Sequence, residues 1–273
     1  MTDKKRADVV LTERGLCESR EKAQAAIMAG LVYRGEKRIE KASEMVLPED
    51  ELTVRGKAQP YASRGGLKLE KALQVFPISL EGCITMDIGA SHGGFTDCML
   101  QNGAARVYAI DVGRGQLDWK LRNDERVVNL ERTNVRYITN EQVPDPIDFF
   151  SVDVSFISLC LVLPAARPLL RDDGTAVCLI KPQFEAGREK VGKNGVVREK
   201  EIHIEVIKKI YDFCLENGFS VLGLDFSPIK GPEGNIEYLI YIKKSSEPVC
   251  EGKIDIPGVV NLSHAQLDNT SHK

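Results

Sequence analysis

The stretch 87-DIGASHGGFTD-97 decides the fold of this chain, because an apolar strand runs through it into a glycine-rich turn and then into a helix. Small residues at Gly89, Ala90, Gly93 and Gly94 let a ligand come close to the backbone. The next apolar run, VYAID, ends at Asp111, twenty-two residues after Gly89, where an acid can hold a ribose diol. The dinucleotide fingerprint is G-x-G-x-x-G, whereas this loop reads G-x-S-x-G-G, with a side chain at the close-approach position. The loop therefore indicates an adenosine-type cofactor and leaves the chemistry open. A tight strand-to-helix turn without a ligand is the bland alternative.

Outward from this loop, apolar runs and helical patterns alternate as in a doubly wound α/β fold. Strands are predicted near Cys83–Ile88, Val107–Asp111, Val127–Leu130, Ile147–Asp153, Thr175–Lys181, Val221–Asp225 and Glu237–Ile242. Helices are predicted over Ser158–Leu170 and Glu199–Asn217, the second stopped by Asn217-Gly218. Only a loop separates the last two strands, so they pair antiparallel; those before them have helical crossovers and run parallel. The result is a Rossmann-like, mostly parallel seven-stranded sheet with an antiparallel last strand.

Ligands of open α/β sheets lie outside the carboxyl ends of the parallel strands. Asp153 ends the fourth strand and Lys181 the fifth, where Pro182 keeps Lys181 extended. Glu237 opens the antiparallel strand and so starts at the same edge. Lys68 lies early in the helix that precedes the first strand, and that helix must begin at this edge too. Singly these are a helix-surface lysine, a strand-end acid, a loop lysine and an edge glutamate. Jointly they are two cations and two anions beside a cofactor loop, which is costly unless they serve one another.

The first fifty-odd residues read differently. Val9, Val10 and Leu11 begin a helical pattern, and Ser19 caps a second helix with Ala23, Ala26 and Ile27 on its buried stripe, stopped by Gly30. Leu31–Tyr33 and Glu51–Val54 read as strands of a small sheet. Residues 1–65 hold 13 Lys+Arg against 11 Asp+Glu, whereas the whole chain has a net charge of −3. Candidates for phosphate contact are Arg6, Arg14, Arg20, Lys22, Arg34 and Lys37, with Arg64 beyond them. A capping domain with an ordinary charged surface is the competing reading. The expected division is a small α+β domain over 1–58, a linker over 59–63, a catalytic domain over 64–245 and a polar tail over 246–273.

A length of 273 residues accommodates one sizeable core and an accessory domain. Composition, 42% hydrophobic and 28% charged, is that of a soluble protein, with no apolar run near the roughly 20 residues of a membrane span. MTDKKRADVV lacks the apolar core of a signal peptide, so a cytoplasmic location is expected. Seven cysteines without a C-x-x-C pair and four scattered histidines argue against a metal site. A monomer or weak oligomer is expected.

The order of elements and the antiparallel end resemble the class I S-adenosylmethionine-dependent methyltransferases, and the Lys-Asp-Lys-Glu set resembles the tetrad of FtsJ-type ribose 2′-O-methyltransferases. SRGGLKL, DIGASHGGFTD, AIDVGRGQL, VDVSFISL, LIKPQFEAG and GNIEYLIY resemble the TlyA branch, whose members are often labelled hemolysin. The N-terminal pattern resembles the RNA-binding fold named after ribosomal protein S4. The resemblance covers about residues 5–245 and departs at His92, where threonine or serine is expected. It implies S-adenosylmethionine as cofactor, ribosomal RNA or its subunits as partner, and methylation of a ribose 2′-hydroxyl, with cytidine as the target nucleoside. It implies Lys68, Asp153, Lys181 and Glu237 as the catalytic set, with Lys181 the candidate base. Lowering a lysine pKa from 10.4 by about three units costs about 4 kcal/mol, so neighbouring charges matter. Asp87, Gly89, Ser91, Gly93, Asp111, Asn134 and Asp153 are the implied cofactor contacts.

Competing chemistries fit less well. Amine methyltransferases carry Asp/Asn-Pro-Pro-aromatic after the fourth strand, where this chain has DVSF. Cytosine-C5 enzymes need a cysteine there, and Cys160 lies seven residues beyond Asp153. The glycine pattern disfavours a dehydrogenase. An RNA-binding or hemolysin-like protein that keeps the fold without catalysis remains the alternative.

Overall fold

The computed structural model describes residues 4–28, 30–55, 60–249, 252 and 254–268. The chain forms two compact units, residues 1–60 and 61–273. Residue 59 of the expected linker lies outside the described residues.

In the first unit, β1 (Lys5–Arg6) precedes α1 (Ala7–Glu13) and α2 (Arg20–Met28). These are followed by β2 (Val32–Arg34), β3 (Lys37–Arg38), β4 (Met45–Val46) and β5 (Leu52–Val54). Ser19 receives the Lys22 amide at 3.3 Å, the expected start of α2. Strands order as β3-β2-β5, antiparallel, with β1 paired to β4. The small apolar residues of the two helices, Ala7, Val10, Leu11, Ala23, Ala26 and Ile27, close over Val32, Ile39, Val46 and Leu52. Asp8 is buried within this unit, and Arg6 first, then Gln24 and Arg20, hold its carboxyl well below the usual range against the opposing effect of burial.

The second unit opens with α3 (Gly66–Val75), β6 (Ile84–Ile88), α4 (Gly94–Gln101), β7 (Arg106–Ile110), α5 (Trp119–Arg122), β8 (Val127–Leu130) and β9 (Ile147–Val152). It continues with α6 (Leu159–Ala166), β10 (Leu170–Ile180), α7 (Pro182–Glu185), α8 (Lys200–Glu216), β11 (Phe219–Phe226), β12 (Tyr238–Lys244) and α9 (Ile256–Leu267). The sheet order is β11-β12-β10-β9-β6-β7-β8. β12 is antiparallel to both neighbours, so the last strand is inserted between β10 and β11 instead of ending the sheet. This insertion matters for the site, because its register sets Tyr238 opposite Ile180 and thus brings Glu237 beside Lys181.

Both faces of the sheet are covered, and alternation along each strand sorts the side chains. Met86, Ile88, Phe150, Val152, Cys178, Ile180, Tyr238 and Ile240 join the cluster that contains residues of α6, α8 and α9. Phe149, Val177, Leu179 and Leu239 join the one containing residues of α3 and α4. At about 25 cal/mol per Å² of apolar surface, burial on two faces is the main favourable term holding these strands in register.

The stretch 246–273, expected as a polar tail, holds a helix. Asp255 caps α9 by accepting the Gly258 amide at 3.0 Å. Val260, Ser263, His264 and Leu267 recur at helical spacing and are buried, and α9 packs on α8. Residues 250, 251, 253 and 269–273 of that stretch lie outside the described residues. Among the described residues no helix is long and apolar enough to cross a membrane.

Candidate active site

The glycine turn is built by backbone conformation. Gly89 has φ +89°, and a Cβ there would stand 2.4 Å from the Asp153 carbonyl oxygen, so the turn and the end of β9 can touch only through glycine. Ser91 also sits at positive φ, +47°, and Gly93 at +91°. Asp111, just past β7, accepts the Ser91 amide at 2.8 Å and the Gly113 amide at 2.7 Å. Two backbone donors thus orient its carboxylate, whose oxygens retain acceptor capacity for hydroxyl groups. His92 is exposed; its Nδ1 lies 3.2 Å from Ser91 Oγ, and its carbonyl receives the Asp118 amide at 3.3 Å.

The four charged residues meet as a chain of contacts. Lys181 Nζ lies 2.5 Å from Asp153 Oδ1, and Lys68 Nζ lies 3.2 Å from Asp153 Oδ2 and 2.7 Å from Glu237 Oε2. Lys68 and Lys181 are each 7% exposed and Glu237 1%, so the charges are largely removed from water and depend on each other. Burial pulls Lys68 toward neutrality, but Asp153 and Glu237 outweigh it and its pKa is raised. The Asp153 carboxyl, despite burial, is lowered by Lys68 and Lys181. Glu237 thus pairs with Lys68, while Lys181 occupies the end of the chain with one carboxylate and the Ser155 hydroxyl, 3.4 Å away. The extended backbone expected before Pro182 is present, with φ −111° and ψ 101° at Lys181.

Other candidates are placed less directly. Asp87 is fully buried beneath the turn and accepts Thr96 Oγ1 at 2.7 Å and Ser151 Oγ at 3.1 Å, so it supports the loop and offers no surface to a ligand. Its burial pushes the carboxyl up to about 6, only partly countered by those two hydroxyls. Asn134 caps a short turn by accepting the Arg136 amide at 3.1 Å. In the first unit, Arg6 and Arg20 are committed to Asp8, Lys22 to Glu18, and Arg34 to Glu44 and Asp50. Arg14 donates to the Asp50 carbonyl at 2.6 Å. Most of the basic candidates of this unit thus have acidic neighbours, whereas Lys37 is exposed with no ion pair among the described residues.

Two features went unread in the sequence. Phe156, three residues past Asp153, is 90% exposed at φ +64°, with its ring 4.9 Å from that of Phe184. The aromatic in DVSF was visible, but its outward presentation follows from a backbone conformation that propensity disfavours. The second is the distribution of arginines in the second unit. Arg106, Arg126 and Arg171, at strand beginnings, pair with Asp145, Asp124 and Asp148. Arg114 and Arg132, on the segments after β7 and β8, are exposed and, like the already expected Arg64, make no ion pair among the described residues.

Comparison with known proteins matches both units to known families. Residues 61–244 match the FtsJ-like methyltransferase family, and residues 5–52 match the S4 domain. The protein YqxC of Bacillus subtilis is 54% identical over 244 residues, covering 89% of this chain and 87% of the relative. The 16S/23S rRNA (cytidine-2′-O)-methyltransferase TlyA of Mycobacterium tuberculosis is 40% identical over 254 residues, 93% of this chain and 95% of that protein. A solved structure from Streptococcus thermophilus that bears a hemolysin name is 48% identical, covers all of both chains and superposes with a TM-score of 0.79. The chain belongs to the FtsJ-like methyltransferase family and carries an S4 domain ahead of its methyltransferase domain.

Proposed function

We propose that this protein transfers a methyl group from S-adenosylmethionine to a ribose 2′-hydroxyl of ribosomal RNA, with cytidine as the target nucleoside. The observation that carries this reading is the contact chain Lys181–Asp153–Lys68–Glu237 at the end of β9, against the turn that Gly89 closes. The donor set suits the cofactor: Asp111 is a pre-oriented carboxylate for a ribose diol, and Gly89, Ser91 and Gly93 form an open turn for the amino-acid end. When bound, the cofactor supplies an already electrophilic methyl group. The remaining task is to align a sugar hydroxyl and remove its proton.

Lys181 is suited to that role by its place in the chain. Lys68 contacts two carboxylates and is held charged, whereas Lys181 contacts the Asp153 carboxylate and the Ser155 hydroxyl at the open end of the chain. Asp153 and Glu237 orient the two ammonium groups. Phe156 offers a face for a nucleobase beside the tetrad, and the arginines Arg64, Arg114 and Arg132, without ion pairs among the described residues, offer phosphate contacts at the same edge. RNA as substrate is further supported by the S4 domain, and cytidine by the name of the 40% identical relative. Incubation with methyl-labelled donor and ribosomal subunits, followed by digestion to nucleosides, tests the reading. Label in 2′-O-methylcytidine is expected; label on a base, or no transfer to either subunit, contradicts it.

A further inference from the structure

The site is assembled from two loops that are remote in sequence. The loop after β9 carries Asp153, Ser155 and Phe156, and the loop after β10 carries Lys181 and Phe184. Their facing contacts, Lys181 to Asp153 and Ser155, and Phe156 to Phe184, depend on the spacing between the loops. One buried carboxylate sets that spacing. Glu185, 6% exposed at the end of α7, accepts Ser158 Oγ at 2.7 Å through Oε2 and the Leu159 amide at 2.8 Å through Oε1. Ser158 in turn accepts the Cys160 amide at 3.1 Å, so the glutamate and the serine together cap α6. Lys209 of α8 holds the glutamate from behind, 3.5 Å from Oε2 and donating to the Glu185 carbonyl at 3.0 Å.

We infer that Glu185 is a positioning residue for methyl transfer, a clamp that fixes the Lys181 loop against the Asp153–Phe156 loop. The inference rests on the methyl-transfer reading above. Both carboxylate oxygens are spent on the opposite loop, one on a side chain and one on the helix backbone, so the clamp resists sliding as well as separation. It touches neither the glycine turn nor Asp111, and Asp153 is anchored separately on the sheet by its amide to the Ile88 carbonyl at 2.9 Å, so donor binding does not depend on the clamp directly.

The test uses the full-length protein and compares Glu185→Ala, Glu185→Gln and Ser158→Ala with wild type and Lys181→Ala. A displacement of about 1 Å at the reacting groups costs about 100-fold in rate, so Glu185→Ala lowers kcat for RNA by about that factor. Binding of S-adenosylhomocysteine and KM for the donor stay within about threefold, because the turn is untouched. Glu185→Gln keeps the shape and one acceptor and restores most of the rate; Ser158→Ala, which strands no buried charge, loses about tenfold, as expected for one charge-assisted hydrogen bond. Wild-type kcat in both Glu185→Ala and Ser158→Ala overturns the inference, as does loss of donor binding in parallel with kcat, which marks a general loss of fold. Failure of the underlying reading looks different: wild type then transfers no methyl group to RNA ribose, or Lys181→Ala remains as active as wild type.

Discussion

Replacing Asp87 by asparagine should stabilise the protein at neutral pH, with a dependence on pH that can be worked from the structure. Asp87 is fully buried under the glycine turn, and burial raises its carboxyl from 3.8 to about 6 against the opposing hydrogen bonds from Thr96 and Ser151. The folded state therefore binds the proton more tightly than the unfolded one. Stability from this group is fully present below the unfolded value near 4 and is lost as pH rises through about 6. About two pH units correspond to about 3 kcal/mol, the cost wild type bears above pH 6 and the uncharged variant escapes. His203, lowered to about 4 mainly by burial, acts in the opposite direction over an overlapping range, but it is common to both proteins and cancels in the difference. Urea unfolding of wild type and Asp87→Asn at pH 4.5, 6 and 7.5 should show a gap that widens with pH in favour of the variant. A gap that is constant across this range, or that widens in favour of wild type, refutes the reasoning.

Three further outcomes follow from the same contacts. Lys68→Ala removes the partner of Glu237, leaving a buried carboxylate, and should destabilise the second unit by about 3–5 kcal/mol in urea melts, less if Glu237→Gln is introduced with it. Asp111→Ala removes the carboxylate offered to a ribose and should weaken S-adenosylhomocysteine binding by calorimetry about 10- to 100-fold, whereas Asp87→Asn, which presents no surface, should change it little. Gly89→Ala sets a Cβ 2.4 Å from the Asp153 carbonyl at a φ disfavoured for alanine; a loss of about 2–4 kcal/mol is expected, with reduced donor affinity.

Much of the fold was legible because its signals are local. Apolar runs bounded by glycine and charge marked the strands of the large sheet, and Val127–Leu130 coincides with its predicted bounds. The edge rule for parallel strands brought Lys68, Asp153, Lys181 and Glu237 together before any contact was known. What stayed hidden depends on tertiary partners. The set of four was expected, but not which pairs form within it: Asp153 touches both lysines, and Glu237 pairs with Lys68. Asp87 reads as part of a ligand loop, but strand alternation turns it inward toward Thr96 and Ser151. The basic residues of the first unit looked like a phosphate patch, and only the structure shows how many have acidic neighbours in space. The helix at Ile256–Leu267 follows a polar, charged stretch, and its apolar opening IPGVV contains a proline and a glycine that weaken a helical signal.

Lys181 is proposed as the group that takes the proton from a ribose hydroxyl, and nucleoside analysis of ribosomal RNA treated with wild type and with Lys181→Ala tests that most directly. Wild type should yield a 2′-O-methylated nucleoside, while the variant should bind S-adenosylhomocysteine normally and yield none. A methyl group on a base, or wild-type yield of the ribose product from Lys181→Ala, would contradict it.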